Sequence, residues 1–290
     1  MNRYRPYFFL ILTIILWGSS FPLITDLIII FKPTELALSR FFVPAIFSFI
    51  YIVISKLVVE RKDILKFFLA SFFGIFSFAF FINLGQQSMS AGAGSFIVNI
   101  NPLITSLIGY YFLKQDIKKY FWVGIIFCTI GIFIISLENY KKYSFDIGFI
   151  YLLIAAFSIS LYFHLIKPLV NKYGALLTFN YTLFIGSIPM FFYIDDTLRI
   201  IYNADLEIQL SILWLSFFST LIPYYTWTYS VGYFGASKAS FFLFLIPIVA
   251  MIIDFIIYTK FPSIFTIIGG FLIIISVSSI LYFNSKKYYN

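Results

Sequence analysis

The sequence has little charge and almost none of the residues that build covalent or metal-bound frameworks. Only 11% of its 290 residues are Asp, Glu, Lys or Arg, whereas a soluble domain carries about 25%. It has one cysteine, Cys128, and one histidine, His164. These counts exclude an intramolecular disulfide framework and a metal site rich in Cys and His. The chain also lacks a G-x-x-x-x-G-K-[S/T] motif, so we expect no ATP hydrolysis and predict no cofactor.

Apolar residues dominate what is present. They make up 61% of the chain, aromatic residues alone make up 23%, and the mean hydropathy is +0.97. Too little polar surface remains to cover a water-soluble globule, so the composition predicts an integral membrane protein. The net charge of +8 is then expected to reflect the orientation of loops, with no nucleic-acid partner.

Charged residues and turn-forming stretches divide the chain into apolar segments. The charge-free run 67–113 is too long for one helix, and its small and polar stretch 83–92 predicts a tight turn between two antiparallel helices. We therefore predict an all-α membrane protein with ten transmembrane helices. They are 7–25, a second span that contains Arg40 and continues to 55, two spans within 67–113, and spans near 120–137, 147–166, 175–194, 208–233, 236–258 and 263–283.

The positive charges predict the orientation of these helices. Short cytoplasmic loops hold most of the Lys and Arg of a membrane protein. With the N-terminus inside, fourteen of the 20 Lys and Arg fall on the cytoplasmic side, five fall outside and Arg40 lies within a helix. The most acidic loop, 195–207, then lies outside. The alternation predicts cytoplasmic termini, supports the number ten and indicates a multi-pass protein of the cell (inner) membrane.

The two halves of the chain share a spacing. A shift of 145 residues places Pro102 on Pro247 and Gly124 on Gly269. The same shift places Ala91 on Ala236 and Ser95 on Ser240. Each half holds five predicted helices, and an odd number forces the second half through the membrane in the opposite sense. We therefore predict two inverted five-helix repeats at 7–137 and 147–283, followed by a cytoplasmic tail at 284–290.

Five short motifs carry a resemblance to a known family. They are Trp17-Gly18-Ser19-Ser20-Phe21, Pro33-Thr34-Glu35-Leu36-Ala37-Leu38-Ser39-Arg40, Asn101-Pro102-Leu103, Ala236-Ser237-Lys238-Ala239-Ser240 and Ile246-Pro247-Ile248. Their order and spacing resemble the EamA group of the drug/metabolite transporter superfamily over nearly the whole chain. The resemblance implies ten helices in two tandem units and export of amino acids or related metabolites. Where the family usually has glutamates after the fourth and ninth helices, this chain has Gln115 and Lys260, so nothing that rests on those carboxylates transfers.

Polar residues follow one face of the predicted fourth helix and the matching face of the ninth. The two sets are Ser95, Asn99, Pro102, Ser106 and Gly109 in the fourth helix, and Ser240, Phe244, Pro247, Met251 and Asp254 in the ninth. Membrane helices rarely turn polar groups towards lipid, and a proline frees a backbone carbonyl that a cavity tolerates. We hypothesise a central cavity between these faces. The alternative is that small residues and prolines only allow close helix packing.

Three ionisable residues are predicted at a similar depth near the outer ends of their helices. Asp254, Asp26 and Arg40 are hypothesised to form a charged cluster that binds a zwitterionic substrate, relays a proton or closes an outer gate. Interfacial snorkelling is the alternative. His164 is interpreted as interfacial and Cys128 as a small apolar residue. Further cavity candidates are Trp17, Ser20, Asn83, Gln87, Ser158, Tyr162, Trp227 and Tyr229.

These features favour a secondary transporter that moves small metabolites, namely amino acids or related compounds, by alternating access. The resemblance makes export the expected direction, with uptake or exchange by the same fold as alternatives. A small-molecule substrate and the lipid bilayer are the predicted partners, and proton coupling stays open. An enzyme is not expected, because no G-x-S-x-G or two-histidine metal motif is present. A membrane protein that transports nothing is the remaining alternative.

Overall fold

The computed structural model describes residues 4–56, 58–88, 91–116, 118–136, 147–258 and 264–286, and over these residues it is helical and contains no strand. This confirms the predicted all-α class. The α-helices are α1 Arg5–Gly18, α2 Ser20–Leu27, α3 Pro33–Ser55, α4 Ile64–Ser71, α5 Phe78–Ser88, α6 Ala91–Val98, α7 Asn101–Tyr111, α8 Lys119–Ser136, α9 Ile147–Tyr173, α10 Ala175–Ser187, α11 Ile194–Asn203, α12 Leu206–Ser216, α13 Ile222–Phe234, α14 Ala236–Phe241, α15 Ile246–Tyr258 and α16 Ile264–Lys286.

Six helical segments of the described chain are long and apolar enough to cross a membrane. They are Arg5–Ile24, Pro33–Ser55, Arg61–Ser88, Ile147–Tyr173, Ala175–Asn203 and Leu206–Phe234. Shorter apolar helices lie at Lys119–Gly131, Ala236–Ala250 and Ile267–Ser276. The chain is therefore a multi-pass membrane protein. The number of ten crossings and the cytoplasmic termini stay predictions.

The predicted turn at 83–92 is wrong over most of its length. Helix α5 continues to Ser88 and α6 begins at Ala91, while residues 89–90 lie outside the described part of the chain. The polar and small residues of α5 are used for packing. Asn83 Nδ2 donates to the Pro33 carbonyl at 2.9 Å, and a Cβ at Gly85 would lie 2.4 Å from the Leu152 side chain. A larger residue would therefore push α5 away from α9.

The predicted acidic outer loop at 195–207 is also mostly helical. Helix α11 spans Ile194–Asn203 and carries Asp195 and Asp196 in its first turn, and α12 follows from Leu206. Carboxylates near a helix N-terminus interact favourably with the helix dipole and with unpaired N–H groups. The charge that suggested a loop therefore favours the start of a helix.

Several helices are interrupted at positions related by the same 145-residue shift. A π-helical segment at Phe72–Ser77 separates α4 from α5, and a second at Phe217–Leu221 separates α12 from α13. The break between α6 and α7 precedes Pro102, and the 3-10 turn at Phe242–Leu245 precedes Pro247. A proline lacks the N–H group that the preceding turn would use, which explains the second pair of breaks. The internal spacing of the sequence thus reappears in the backbone.

The helix pairings also exchange when the two halves are exchanged. Helix α5 packs on α9 and its counterpart α13 packs on α1; likewise α7 packs on α9 and α15 on α1. Three further pairs, α3 with α10, α7 with α14 and α8 with α16, join helices that are each other's counterparts. The largest fully buried side chains are Trp227, Tyr162 and Tyr224, on α9 and α13 at the centre of this arrangement.

Candidate functional site

A cavity lies between the two halves. It is lined by Trp17, Ser20, Phe21, Arg40, Phe78, Ile82, Val98, Asn99, Asn101, Ile159, Phe163, Leu243 and Ile246. About 460 Å³ of empty space, partly open to solvent, lies between the lining atoms, and the centres of water-sized spheres have about 40 Å³ available. That is room for about three waters. A larger ligand therefore requires the lining helices to move apart.

The cavity includes two pairs of matched positions on the proline-broken helices. Val98 and Leu243 are separated by 145 residues, and so are Asn101 and Ile246; all four line the cavity. The cavity therefore straddles the relation between the halves. At the second pair, the first half contributes a polar side chain and the second half an apolar one.

Arg40 is the charged residue of the cavity wall. Its side chain points into the protein, and the residue is only 6% exposed. The guanidinium donates from Nε to Thr220 Oγ1 at 2.7 Å and from Nη2 to the Ser219 carbonyl at 2.8 Å. None of the ion pairs in the described part of the chain includes Arg40. Its charge is thus buried beside the cavity without a carboxylate partner from those residues.

The acceptor of Arg40 belongs to a π-helical segment. In a π-helical turn the hydrogen bonds run from i to i+5, which disturbs the pairing of neighbouring carbonyls. Ser219 lies in the second segment, and Gly74, which is 145 residues earlier, lies in the first. The Gly74 carbonyl accepts from the Tyr224 hydroxyl at 3.2 Å. Each π-helical segment therefore has a side chain from the other half bound to its matched carbonyl.

Asn101 occupies the break that Pro102 causes. Because Pro102 has no N–H, the Val98 carbonyl loses its helical donor. Asn101 Nδ2 donates to that carbonyl at 3.0 Å. The Asn101 side chain is buried, and its Oδ1 has no hydrogen-bond partner. One unused acceptor therefore lies in the wall that Arg40 also lines.

Four of the residues predicted from the sequence, Trp17, Ser20, Asn99 and Arg40, line this cavity. Others are buried around it: Asn83, Ser95, Pro102, Ser106, Ser158, Tyr162, Trp227, Ser240 and Pro247. Ser158 Oγ shares a hydrogen bond with Ser77 Oγ at 2.9 Å. Tyr229 lies against Arg5, whose guanidinium carbon is 5.2 Å from the ring centroid. Gln87 is exposed.

The predicted charged cluster stays a prediction. Asp26 is exposed, and the side chains of Asp254 and Met251 lie outside the described part of the structure, as does Lys260. Gln115, at the other departure from the family pattern, accepts from Ser237 Oγ at 2.8 Å. His164 Nε2 lies 2.8 Å from the Thr105 carbonyl oxygen. Cys128 is buried in an apolar cluster between α8 and α16.

Sequence reasoning missed most of the cavity wall. The missed residues are Phe21, Phe78, Ile82, Val98, Asn101, Ile159, Phe163, Leu243 and Ile246. The apolar ones carry no signal in a chain with 40 Phe. Asn101 had one, because an asparagine directly before an intrahelical proline can bond the carbonyl that the proline leaves free.

A charged network lies at the junction of α4 with α9, away from the cavity. Asp63 is 2% exposed; its Oδ2 accepts from Lys172 Nζ at 2.6 Å and from the Tyr173 hydroxyl at 2.8 Å, and its Oδ1 pairs with Lys66 at 2.8 Å. Glu60 pairs with Lys172 at 2.7 Å. Hydrogen bonds from Lys172 and Lys62 lower the pKa of the exposed Glu60 carboxyl below its usual value. The network ties the two halves together at one end.

Apolar helices of membrane-spanning length, paired as exchangeable halves around a central cavity, define a multi-pass membrane protein with an internal binding site. The model of the EamA-like transporter family matches residues 5–137 and again 146–282. The chain belongs to this family, and the resemblance seen in its motifs is confirmed. Membership implies a small-molecule substrate.

Relatives in other organisms bear the names of transporters. The uncharacterized transporter YdfC of Bacillus subtilis (strain 168) is 29% identical over 257 residues, which is 88% of this chain and 84% of that protein. A probable terminal-alkyne amino-acid exporter of Streptantibioticus cattleyicolor is 24% identical over 93% of this chain and 91% of its own. A solved crystal structure has the same fold, with a TM-score of 0.76 at 13% identity, over 97% of this chain and 98% of its own.

Proposed function

We propose that the protein is a secondary transporter that moves small metabolites, namely amino acids or related compounds, out of the cell across the inner membrane. The observation that carries the proposal is the cavity between the two halves. A site lined by both halves opens to either side when one half rocks against the other. The name of the Streptantibioticus relative supports an amino-acid substrate and the direction of export.

The proposed topology has ten crossings in two inverted repeats. The crossings are α1–α2, α3, α4–α5, α6–α7 and α8 at 7–137, then α9, α10–α11, α12–α13, α14–α15 and α16 at 147–283, with a tail at 284–290. The matched π-helical segments and the exchangeable helix pairings support the repeats. The distribution of Lys and Arg supports cytoplasmic termini.

The proposed substrate site centres on Trp17, Ser20, Asn99 and Arg40, which line the cavity. Pro102 and Pro247 provide the breaks at which α6–α7 and α14–α15 change their packing. Asp26 and Asp254 are proposed to act in gating or proton coupling near the outer mouth. This assignment rests on their places in the sequence.

The test is a counterflow assay with purified protein in liposomes loaded with a pooled cell extract. We expect release of specific metabolites into an external solution of the same extract, identified by mass spectrometry. Empty liposomes measure leakage. If nothing is released with a proton gradient imposed in either direction, the transporter proposal is wrong and the protein has a non-transporting role.

A matched pair of variants tests whether the cavity is the transport site. Asn99 Nδ2 donates to the Ser95 carbonyl four residues earlier at 2.6 Å, and Asn180 Nδ2 donates to the Leu176 carbonyl at 2.8 Å. Both residues are buried, but Asn180 does not line the cavity. We expect Asn99→Ala to lower transport about tenfold or more, because one polar contact with the substrate is lost. Asn180→Ala should change transport less than about twofold, and equal losses would contradict the assignment.

A further inference from the structure

We infer that Arg40 binds the carboxylate of the transported molecule and that Asn101 Oδ1 accepts a hydrogen bond from its amine. The ligand class is then an amino acid whose side chain is apolar. This inference rests on the proposed transport function and goes further, since it assigns the two ends of the substrate to two residues. Asn101 lies outside the site proposed from the sequence.

The first step is the buried charge. Arg40 lies seven residues after the start of α3, about 10 Å along the helix axis, and is 6% exposed. A guanidinium at such depth is unfavourable unless it is paired or hydrated. The ion pairs of the described residues do not include it. An anion that enters the cavity would supply the missing partner.

The second step is the orientation of the guanidinium. Nε and Nη2 donate from one edge, to Thr220 Oγ1 and to the Ser219 carbonyl. A guanidinium has five N–H donors, so those of Nη1 and the second donor of Nη2 are left over. Parallel N–H groups of this kind bind a carboxylate with two hydrogen bonds. The π-helical segment thus holds one edge of Arg40 in place and leaves another edge for the ligand.

The third step is the acceptor opposite in chemistry. Asn101 Oδ1 lacks a partner although the residue is 4% exposed, and the residue lines the same cavity as Arg40. A buried amide oxygen is costly to leave without a donor. A protonated amine supplies that donor. Ile82, Ile159 and Leu243 belong to the same wall and suit an apolar side chain.

A structural role of Arg40 is the competing explanation. In that case the residue serves only to hold the π-helical segment through Thr220 and Ser219. Thr220→Val is the matched control, because it removes the acceptor of Nε while the charge of Arg40 stays. A purely structural Arg40 predicts that Arg40→Gln and Thr220→Val lower stability and transport in parallel.

The experiment uses three sets of probes in the liposome assay. The first is an equimolar mixture of leucine, isoleucine, valine, methionine and phenylalanine. The second contains the methyl esters of these five, which lack the carboxylate, and the third contains the corresponding carboxylic acids without the amine. We expect wild-type protein to move the first set far better than the second. Arg40→Gln should lower transport of the first set by about 10- to 150-fold, as expected for loss of charged hydrogen bonds.

Asn101→Leu separates the two ends of the ligand. It should lower transport of the amino acids and leave the carboxylic acids without an amine within about threefold of wild type. Thr220→Val should lower the unfolding temperature while it keeps the preference of the first set over the esters. Size-exclusion elution and thermal unfolding in detergent check that each variant is folded.

Binding provides a readout that is independent of transport. Trp17 lines the cavity, so its fluorescence is expected to change when the five amino acids bind, and Arg40→Gln should abolish that change. If wild type moves extract metabolites but esters and amino acids bind and move equally well in wild type and Arg40→Gln, the inference is wrong and the transporter remains. If wild type transports nothing, the transport proposal fails. The fluorescence titration then decides the site alone, and absence of amino-acid binding overturns it.

Discussion

Two junctions related by the 145-residue shift are held together by opposite chemistry. At the start of α4 and the end of α9, Asp63 is bonded to Lys172 and Tyr173. The matching positions are Ile208, Leu27 and Ile28, and these three belong to one apolar cluster at the junction of α2 with α12. An ionic contact at one end of the helices therefore corresponds to an apolar contact at the other.

The difference teaches that the halves share a backbone plan and differ in side-chain chemistry. The same is true of the π-helical segments, since the Gly74 carbonyl accepts from neutral Tyr224 and the Ser219 carbonyl from Arg40. Ionic contacts weaken with salt and with protonation, whereas apolar contacts do not. Under the proposed transport cycle, the two sides of the membrane would then close by mechanisms that respond differently to the solution.

Removing Asp63 should break the ionic junction with the largest effect. Asp63→Asn leaves Lys172 and Lys66 without their carboxylate, and we expect a loss of about 2 kcal/mol in the free energy of unfolding, because both lysines are partly exposed and regain water. Unfolding by detergent titration measures it. Asp116→Asn removes an exposed aspartate that pairs with Lys118 and should change stability by less than about 0.5 kcal/mol. Equal effects would mean that the ionic junction contributes nothing special.

Copying the apolar junction into the ionic one should recover part of that loss. Asp63→Ile together with Lys172→Leu places at this end the kind of residues found at Ile208 and Leu27. Replacing a buried ion pair by apolar residues of similar size is often neutral or stabilising. We expect the double variant to be more stable than Asp63→Asn by about 1 kcal/mol. Its stability should also vary less than that of wild type between about 0.1 M and about 1 M salt. A double variant less stable than Asp63→Asn would show that the two junctions are not interchangeable.

Part of this organisation could be predicted from the sequence, because some of it depends on local signals. Composition indicates the all-helical membrane class, and Pro102 and Pro247 reveal the spacing of the halves. The π-helical segments have no proline to reveal them. Pairings between distant residues, such as Arg40 with Thr220 or Asp63 with Lys172, are set by tertiary packing and leave no periodic pattern.

The polar residues at 83–88 show why sequence reasoning also erred. Small and polar residues favour turns in a soluble chain, but among membrane helices they permit close packing and hydrogen bonds between helices. Asn83 and Gly85 serve these two purposes against Pro33 and Leu152. The same residue types therefore indicate a turn or a contact, and only the neighbouring helices decide between them.

The smallest expected effect concerns pH and the exposed edge of the ionic junction. Because Lys172 and Lys62 lower the pKa of Glu60 from 4.5 in the folded protein, its carboxylate favours folding above about pH 4.5, and the benefit is lost as the pH falls through the folded pKa. Glu60→Gln should therefore lower the unfolding temperature slightly at pH 7 and leave it unchanged near pH 3. The matching position at the apolar junction, Asp205, has no lysine in an ion pair among the described residues, so Asp205→Asn is the control and should show a weaker dependence on pH. A Glu60→Gln curve parallel to that of wild type from pH 3 to pH 7 would contradict the contribution of Glu60 and confine the ionic junction to Asp63.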